Sequence, residues 1–165
     1  MLIYHPAFDA YHCVFRLLAI LDRVNRIEVD KARILDFYLV FPSAVDAIKL
    51  PSTMRHARRV AKAKKNPYRD PISPIATFKG MHQIQSAALR CIAASNLISA
   101  EQLENEIAER TSTALTTDVQ DSVRGFIERN TPVFEIIAQL SDIPLSGADG
   151  LKARTSLLEY RYDAA

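Results

Sequence analysis

Apolar residues return at three- and four-residue intervals along most of the chain, the spacing of helices with one buried face. Over residues 9–26, Tyr11, Val14, Phe15, Leu18 and Leu21 form an apolar stripe, with Arg16, Asp22, Arg23 and Arg26 set mostly against it. Asp9 stands before the stripe as an expected N-cap, its carboxylate placed to accept free backbone N–H groups. Ile27-Glu28-Val29 alternates like a brief strand. Asp30 is then the expected cap of a second helix through Ile34, Leu35, Tyr38 and Leu39, and Pro42 ends it or opens a further turn. A third helix is predicted over residues 78–95, with Ile84, Ala87, Ala88, Cys91 and Ile92 on one face. Ser99 and Gln102 match the capping-box pattern ahead of a fourth helix, with Leu103 and Ile107 inward and Glu101, Glu104, Glu106 and Glu109 outward. Thr117 and Gln120 repeat that pattern before a fifth helix carrying Val123, Phe126 and Ile127. Thr131-Pro132 reads as cap and first-turn proline of a sixth, which runs through Val133, Phe134, Ile136, Ile137 and Leu140.

The pattern breaks in three places. Residues 51–76 form a connector punctuated by Pro51, Pro67, Pro71 and Pro74 and poor in apolar side chains. Residues 141–150 read as a loop. In the tail, Leu158, Tyr160 and Tyr162 alternate with Glu159, Arg161 and Asp163, which predicts a strand. Such a strand adds to a sheet of this protein or of another chain, so Tyr160, Arg161 and Tyr162 are candidate partner-binding residues. The expected fold is mainly α: a compact multi-helix domain over residues 1–165, with one or two short strands and the connector between two helical halves. A long helix, a short connection and a second helix occur at both 9–41 and 78–110. From that arrangement tandem helix-turn-helix or winged-helix modules are built.

Composition adds that 165 residues with 48% hydrophobic side chains suffice for a buried core without disulfides or a structural metal. Cys13 and Cys91 both fall in apolar helical stretches and are expected as buried, reduced thiols. The first residues lack a cationic leader pattern, and no apolar run approaches the roughly 18 residues that span a bilayer. A cytoplasmic protein without membrane contact is expected.

Charge changes the picture more. The net charge of +2 conceals 15 Lys/Arg against 7 Asp/Glu in residues 1–100, and 6 against 12 in residues 101–165. Arg55, Arg58, Arg59, Lys62, Lys64, Lys65 and Arg69 follow one another with no acid between them. Arg55, Arg58, Arg59 and Lys62 share one side of a helix, and Tyr68 adds a stacking group. This stretch is suited to phosphates, to an acidic protein, or to no more than solvation of a linker helix.

Signatures of catalysis are missing. His5, His12, His56 and His82 are far apart and form no metal-ligand spacing with Cys, Asp or Glu, and four scattered glycines build no phosphate loop. His12 and Cys13 are neighbours on a helix and so point to different faces. No cofactor and no metal are expected, and a binding protein is favoured over an enzyme.

Three strings carry a resemblance. The first is Ile3-Tyr4-His5-Pro6-Ala7-Phe8-Asp9-Ala10-Tyr11-His12-Cys13-Val14-Phe15-Arg16. The second is Asp30-Lys31-Ala32-Arg33-Ile34-Leu35-Asp36-Phe37-Tyr38-Leu39-Val40-Phe41-Pro42, and the third Arg154-Thr155-Ser156-Leu157-Leu158-Glu159-Tyr160-Arg161-Tyr162-Asp163. With Gln83-Ile84-Gln85-Ser86-Ala87-Ala88-Leu89 between them, the chain resembles the middle component of bacterial ABC-three-component systems over nearly its whole length. That group includes the small accessory subunit of Lamassu-type phage and plasmid defence. The resemblance implies a non-catalytic scaffold joining an SMC-like ABC ATPase to an effector, often a nuclease, with DNA met through the complex. It transfers no catalytic residue. The alternative is a stand-alone helix-turn-helix regulator, which needs a recognition helix with exposed polar and basic residues.

Overall fold

The computed structural model describes residues 5–159. Its elements follow the apolar pattern closely. After a 3-10 turn at Pro6–Phe8, helix α1 spans Ala10–Arg23, with the Asp9 carboxylate accepting the His12 backbone N–H at 2.9 Å. Strand β1 is Arg26–Glu28, helix α2 Val29–Val40, and Pro42 opens a 3-10 turn over Pro42–Ala47. Helix α3, Arg55–Ala63, lies inside the connector. Helix α4 spans Pro74–Ala94 and starts earlier than the apolar pattern predicts, because Ser73 caps it and Pro74 fits its first turn. Helix α5 is Ala100–Glu104 and strand β2 Ile107–Glu109, followed by α6, Thr117–Arg129, α7, Thr131–Ser141, and a short α8, Leu151–Thr155.

The fold is mainly α, and one small sheet ties its halves together. β1 and β2 pair antiparallel, with Arg26 opposite Glu109, Ile27 opposite Ala108 and Glu28 opposite Ile107. Ile98 bridges Arg110 and lengthens the ladder. α1–β1–α2 forms a helix–connection–helix unit, whereas α4 and Ile98 are followed only by the five-residue α5 before β2. The halves are not two modules side by side, because each contributes a strand to the same sheet. α1 packs along α4, α2 touches both, and α6 and α7 close the other side. Phe37, Phe78, Leu17, Ile20, Ile34, Leu35, Met81 and Ile92 are among the large side chains sealed inside.

Several local expectations are corrected. Arg16 does not face solvent: it is buried. Tyr11 is exposed instead of sharing the core stripe. Cys91 is exposed, while Cys13 is buried, and neither forms a disulfide. On α4 the inward face is carried by Phe78, Met81, Gln85, Ala88, Leu89 and Ile92, a register in which Cys91 points outward. Asp30 lies within the first turn of α2 and bonds Arg33 rather than capping the helix. The Ser99 hydroxyl does accept the Gln102 N–H at 3.2 Å, but α5 stops after five residues. Glu106 takes a left-handed conformation (φ 59°) and turns the chain into β2, so Ile107 and Glu109 are strand residues. Thr117 and Thr131 are first helical residues with Thr116 and Asn130 at the cap positions, and neither cap makes a side-chain capping bond. Thr155 ends α8, Ser156 is left-handed, and no strand is present over residues 156–159, while the rest of the predicted tail strand, residues 160–163, lies outside the described residues.

Candidate interaction surfaces

A buried polar network holds the three central helices. Asp36 of α2 accepts Nε–H of Arg16 at 2.5 Å and Nε2–H of Gln85 at 2.8 Å, and the Cys13 thiol lies 3.8 Å away. Gln85 also donates to the Arg33 carbonyl and accepts from Arg33 Nε, and Arg33 in turn bonds Asp30 and lies 4.9 Å over the Phe78 ring. Arg16 Nη1 donates to the Pro6 carbonyl at 3.0 Å, fixing the entry to α1. Every buried charge in this cluster has a partner, as burial in a low-dielectric interior demands. Burial pushes the Cys13 thiol far above its ordinary range, and the Asp36 charge adds to the shift. Such a thiol stays protonated and is a poor nucleophile.

His12 is exposed near the start of α1, its Nδ1 3.2 Å from Asp9. The hydrogen bonds from the His12 backbone and side chain hold the Asp9 carboxyl below its ordinary value. Cys13 turns inward to Asp36, so the adjacent His and Cys do not converge. Among the described residues no group of His, Cys, Asp and Glu has the arrangement of a metal site, and no helix is long and apolar enough to cross a membrane.

Four of the basic residues share the outer side of α3. Ala57 and Ala61 of α3 are buried, and their small side chains let the helix lie close against the Pro42–Ala47 turn and α7. Arg55, Arg58, Arg59 and Lys62 consequently project outward and are all exposed. Lys64, Lys65 and Arg69 are also exposed, in the turn that follows α3, where Lys65 lies 3.5 Å from Asp46. The remaining six cations of the stretch make no ion pair among the described residues.

That turn is braced. The Asp70 carboxylate accepts the Ser43 hydroxyl at 2.6 Å and the Asn66 backbone N–H at 2.9 Å, while Asn66 Oδ1 accepts the Tyr68 N–H at 3.1 Å. Tyr68 stands at its tip, 98% exposed. The partners of the brace, Ser43, Asn66 and Asp70, have ordinary turn composition and give no sign in the sequence of acting together across 27 residues.

A cleft of about 300 Å³ lies between α1, the end of α2 and α6, with Tyr11, Phe15, Leu39, Val40, Phe126 and Arg129 on its walls. The Tyr11 ring meets Phe15 edge-on at 4.8 Å, and Tyr11 is 69% exposed although the apolar stripe predicts a core residue. The other predicted contact, Tyr160, Arg161 and Tyr162, lies outside the described residues. The helix-turn-helix alternative fares poorly on geometry: α5 is one turn and a half, and Glu101 and Glu104 are exposed on it.

The model of the family described as ABC-three component (ABC-3C) system Middle Component 5 matches residues 2–163. No curated protein and no solved structure matches the chain.

Proposed function

Because the chain belongs to the ABC-three-component middle component 5 family, we propose that it is the adaptor that couples an SMC-like ABC ATPase to an effector, often a nuclease, in an anti-phage or anti-plasmid defence complex. The match across residues 2–163 carries this reading. The geometry supports it in two ways. The buried polar groups are spent on joining α1, α2 and α4, which suits a rigid spacer. The outer surface offers separate places for partners: the basic face of α3 and the aromatic cleft beside Tyr11. Tyr160, Arg161 and Tyr162 are proposed as a further contact on the strength of their alternation alone. In this role the chain performs no chemistry. It holds the effector on the ATPase and lets the arrangement change when foreign DNA engages.

Co-expression with an SMC-like ABC ATPase and an effector from the same genome tests the proposal. A stable complex is expected, with ATP hydrolysis and nucleic-acid cleavage lost when the active residues of those two subunits are changed. Absence of any complex with either subunit overturns it.

A further inference from the structure

We infer that the α3 face and the Tyr68 turn together form a binding site for nucleic acid with unstacked bases, a single strand or a frayed end. Phosphates would lie along Arg55, Arg58, Arg59 and Lys62, and a base would stack on Tyr68. The inference concerns the isolated chain and goes beyond the adaptor reading, so either can fail alone.

Three observations carry it. First, the charge arrangement works against the helix that bears it. Arg55 occupies the first turn of α3, at the positive end of the helix dipole, with no acid in that turn. Arg55 with Arg58 and Arg59, and Arg58 and Arg59 with Lys62, place like charges at three- and four-residue spacing, each pair destabilising. No acid of the chain pairs with any of these four among the described residues. An anionic ligand removes this repulsion.

Secondly, the cations are in line. Arg55 and Lys62 are separated by about 10 Å along the helix, at 1.5 Å per residue, and Lys64 and Lys65 stand between the helix and Tyr68 in the chain, with Arg69 next to Tyr68. A row of cations follows a phosphate backbone and releases its counterions.

Thirdly, Tyr68 is held out on purpose-built backbone. Five hydrogen bonds converge on Asn66 and Asp70: from Ser43 and the Asn66 N–H to the Asp70 carboxylate, from the Tyr68 N–H to the Asn66 side chain, and from the Arg69 and Asp70 N–H groups to the Asn66 carbonyl. The brace fixes the backbone under the ring but leaves the ring itself in water. Tyr68 follows Lys62 by six residues, and its turn is tied through Ser43 to the same Pro42–Ala47 segment that α3 packs against. An aromatic face near the end of a basic row is the arrangement that binds single strands, where bases expose their π-faces. A paired duplex offers phosphates but no such face, and an acidic polypeptide offers neither a base nor a regular phosphate spacing. Asp70 is thus a positioning residue for Tyr68.

Fluorescence anisotropy with the full chain, a labelled 20-nucleotide DNA strand, a blunt duplex of the same sequence and a labelled polyglutamate is the test, with thermal melts confirming that each variant folds. The single strand is expected to bind more tightly than the duplex, with affinity falling steeply with salt. R58E/R59E/K62E should abolish binding to both. Tyr68→Ala should weaken the single strand about tenfold, leave the duplex unchanged and keep the salt slope. Asp70→Ala should move single-strand affinity in the same direction as Tyr68→Ala, with the duplex again unmoved. The proposal is overturned if polyglutamate binds as well as the strand, if the duplex equals or exceeds it, if Tyr68→Ala has no selective effect, or if no nucleic acid binds.

Discussion

Arg16 and Asp36 close an ion pair inside the core, with Arg16 Nε 2.5 Å from Asp36 Oδ1 and neither side chain reaching solvent. The pair joins α1 to α2, and Gln85 joins α4 to the same carboxylate. Removing one charge leaves the other buried without a partner. Asp36→Ala is therefore expected to cost about 3–5 kcal/mol in urea unfolding, and Arg16→Met a comparable amount. The double variant Arg16→Met/Asp36→Leu should be more stable than either single one, because no uncompensated charge remains. Purely additive losses would mean that the two residues act independently.

This pair also marks where sequence reasoning stops. Apolar spacing located every long helix, since burial of Leu17, Ile34, Phe78 or Ile136 is what that spacing encodes. Helical spacing sets Arg16 against the apolar stripe, as it does most arginines of a surface helix, and only its meeting with Asp36, 20 residues away, reverses that expectation. Arg16, Arg33, Asp36 and Gln85 all fall inside the strings that carry the family resemblance, so those strings encode a core more than a reaction. The short elements failed for another reason. Ile107 fits a helical period after Leu103, but the left-handed Glu106 resets the chain and hands Ile107 to a sheet whose other strand is 79 positions earlier, at Glu28. The basic face was legible because its cations are consecutive. The brace beneath Tyr68 was not, because Ser43 and Asp70 come together only in the fold.

The two cysteines should separate cleanly by reactivity. Cys91 is exposed on α4, whereas Cys13 is sealed beside Asp36 with its thiol held protonated by burial. A thiol reagent such as iodoacetamide should modify Cys91 in the native protein and reach Cys13 only after denaturation. Mass spectrometry of peptides from native and urea-treated samples checks this. Native labelling at Cys13 would show that α1 and α2 open readily.

Stability should fall in alkali. Burial raises the Cys13 thiol above its ordinary value of 9.0 and the Tyr38 phenol above 10.0. The folded state therefore keeps both protons at pH values where the unfolded chain releases them. With more protons bound when folded, unfolding becomes easier as pH rises, by up to about 1.4 kcal/mol per pH unit for each group. The contribution is intact below the ordinary values and declines above them. Urea midpoints should drop between about pH 8 and pH 11, and less steeply in Cys13→Ala/Tyr38→Phe. An equal slope in that variant would assign the alkaline loss elsewhere.

Glu106 provides a test of backbone strain with opposite signs. Its φ of 59° is left-handed, a region that costs a residue with a Cβ about 1–2 kcal/mol. The conformation is required because the Glu106 carbonyl accepts the Val29 N–H at 2.8 Å while the next residue enters β2 opposite Glu28. The side chain is exposed, so substitutions change the turn with little effect on packing. Glu106→Gly should relieve the strain and raise stability by some tenths of a kcal/mol, since the extra freedom of glycine in the unfolded chain returns about 0.5–1 kcal/mol of the gain. Glu106→Val should lower it, because branching at Cβ tightens the same clash. Thermal melts of the two variants beside the parent decide the matter. If valine is tolerated as well as glycine, the turn does not hold its left-handed form in solution, and the entry of α5 into β2 must be set by the sheet pairing alone.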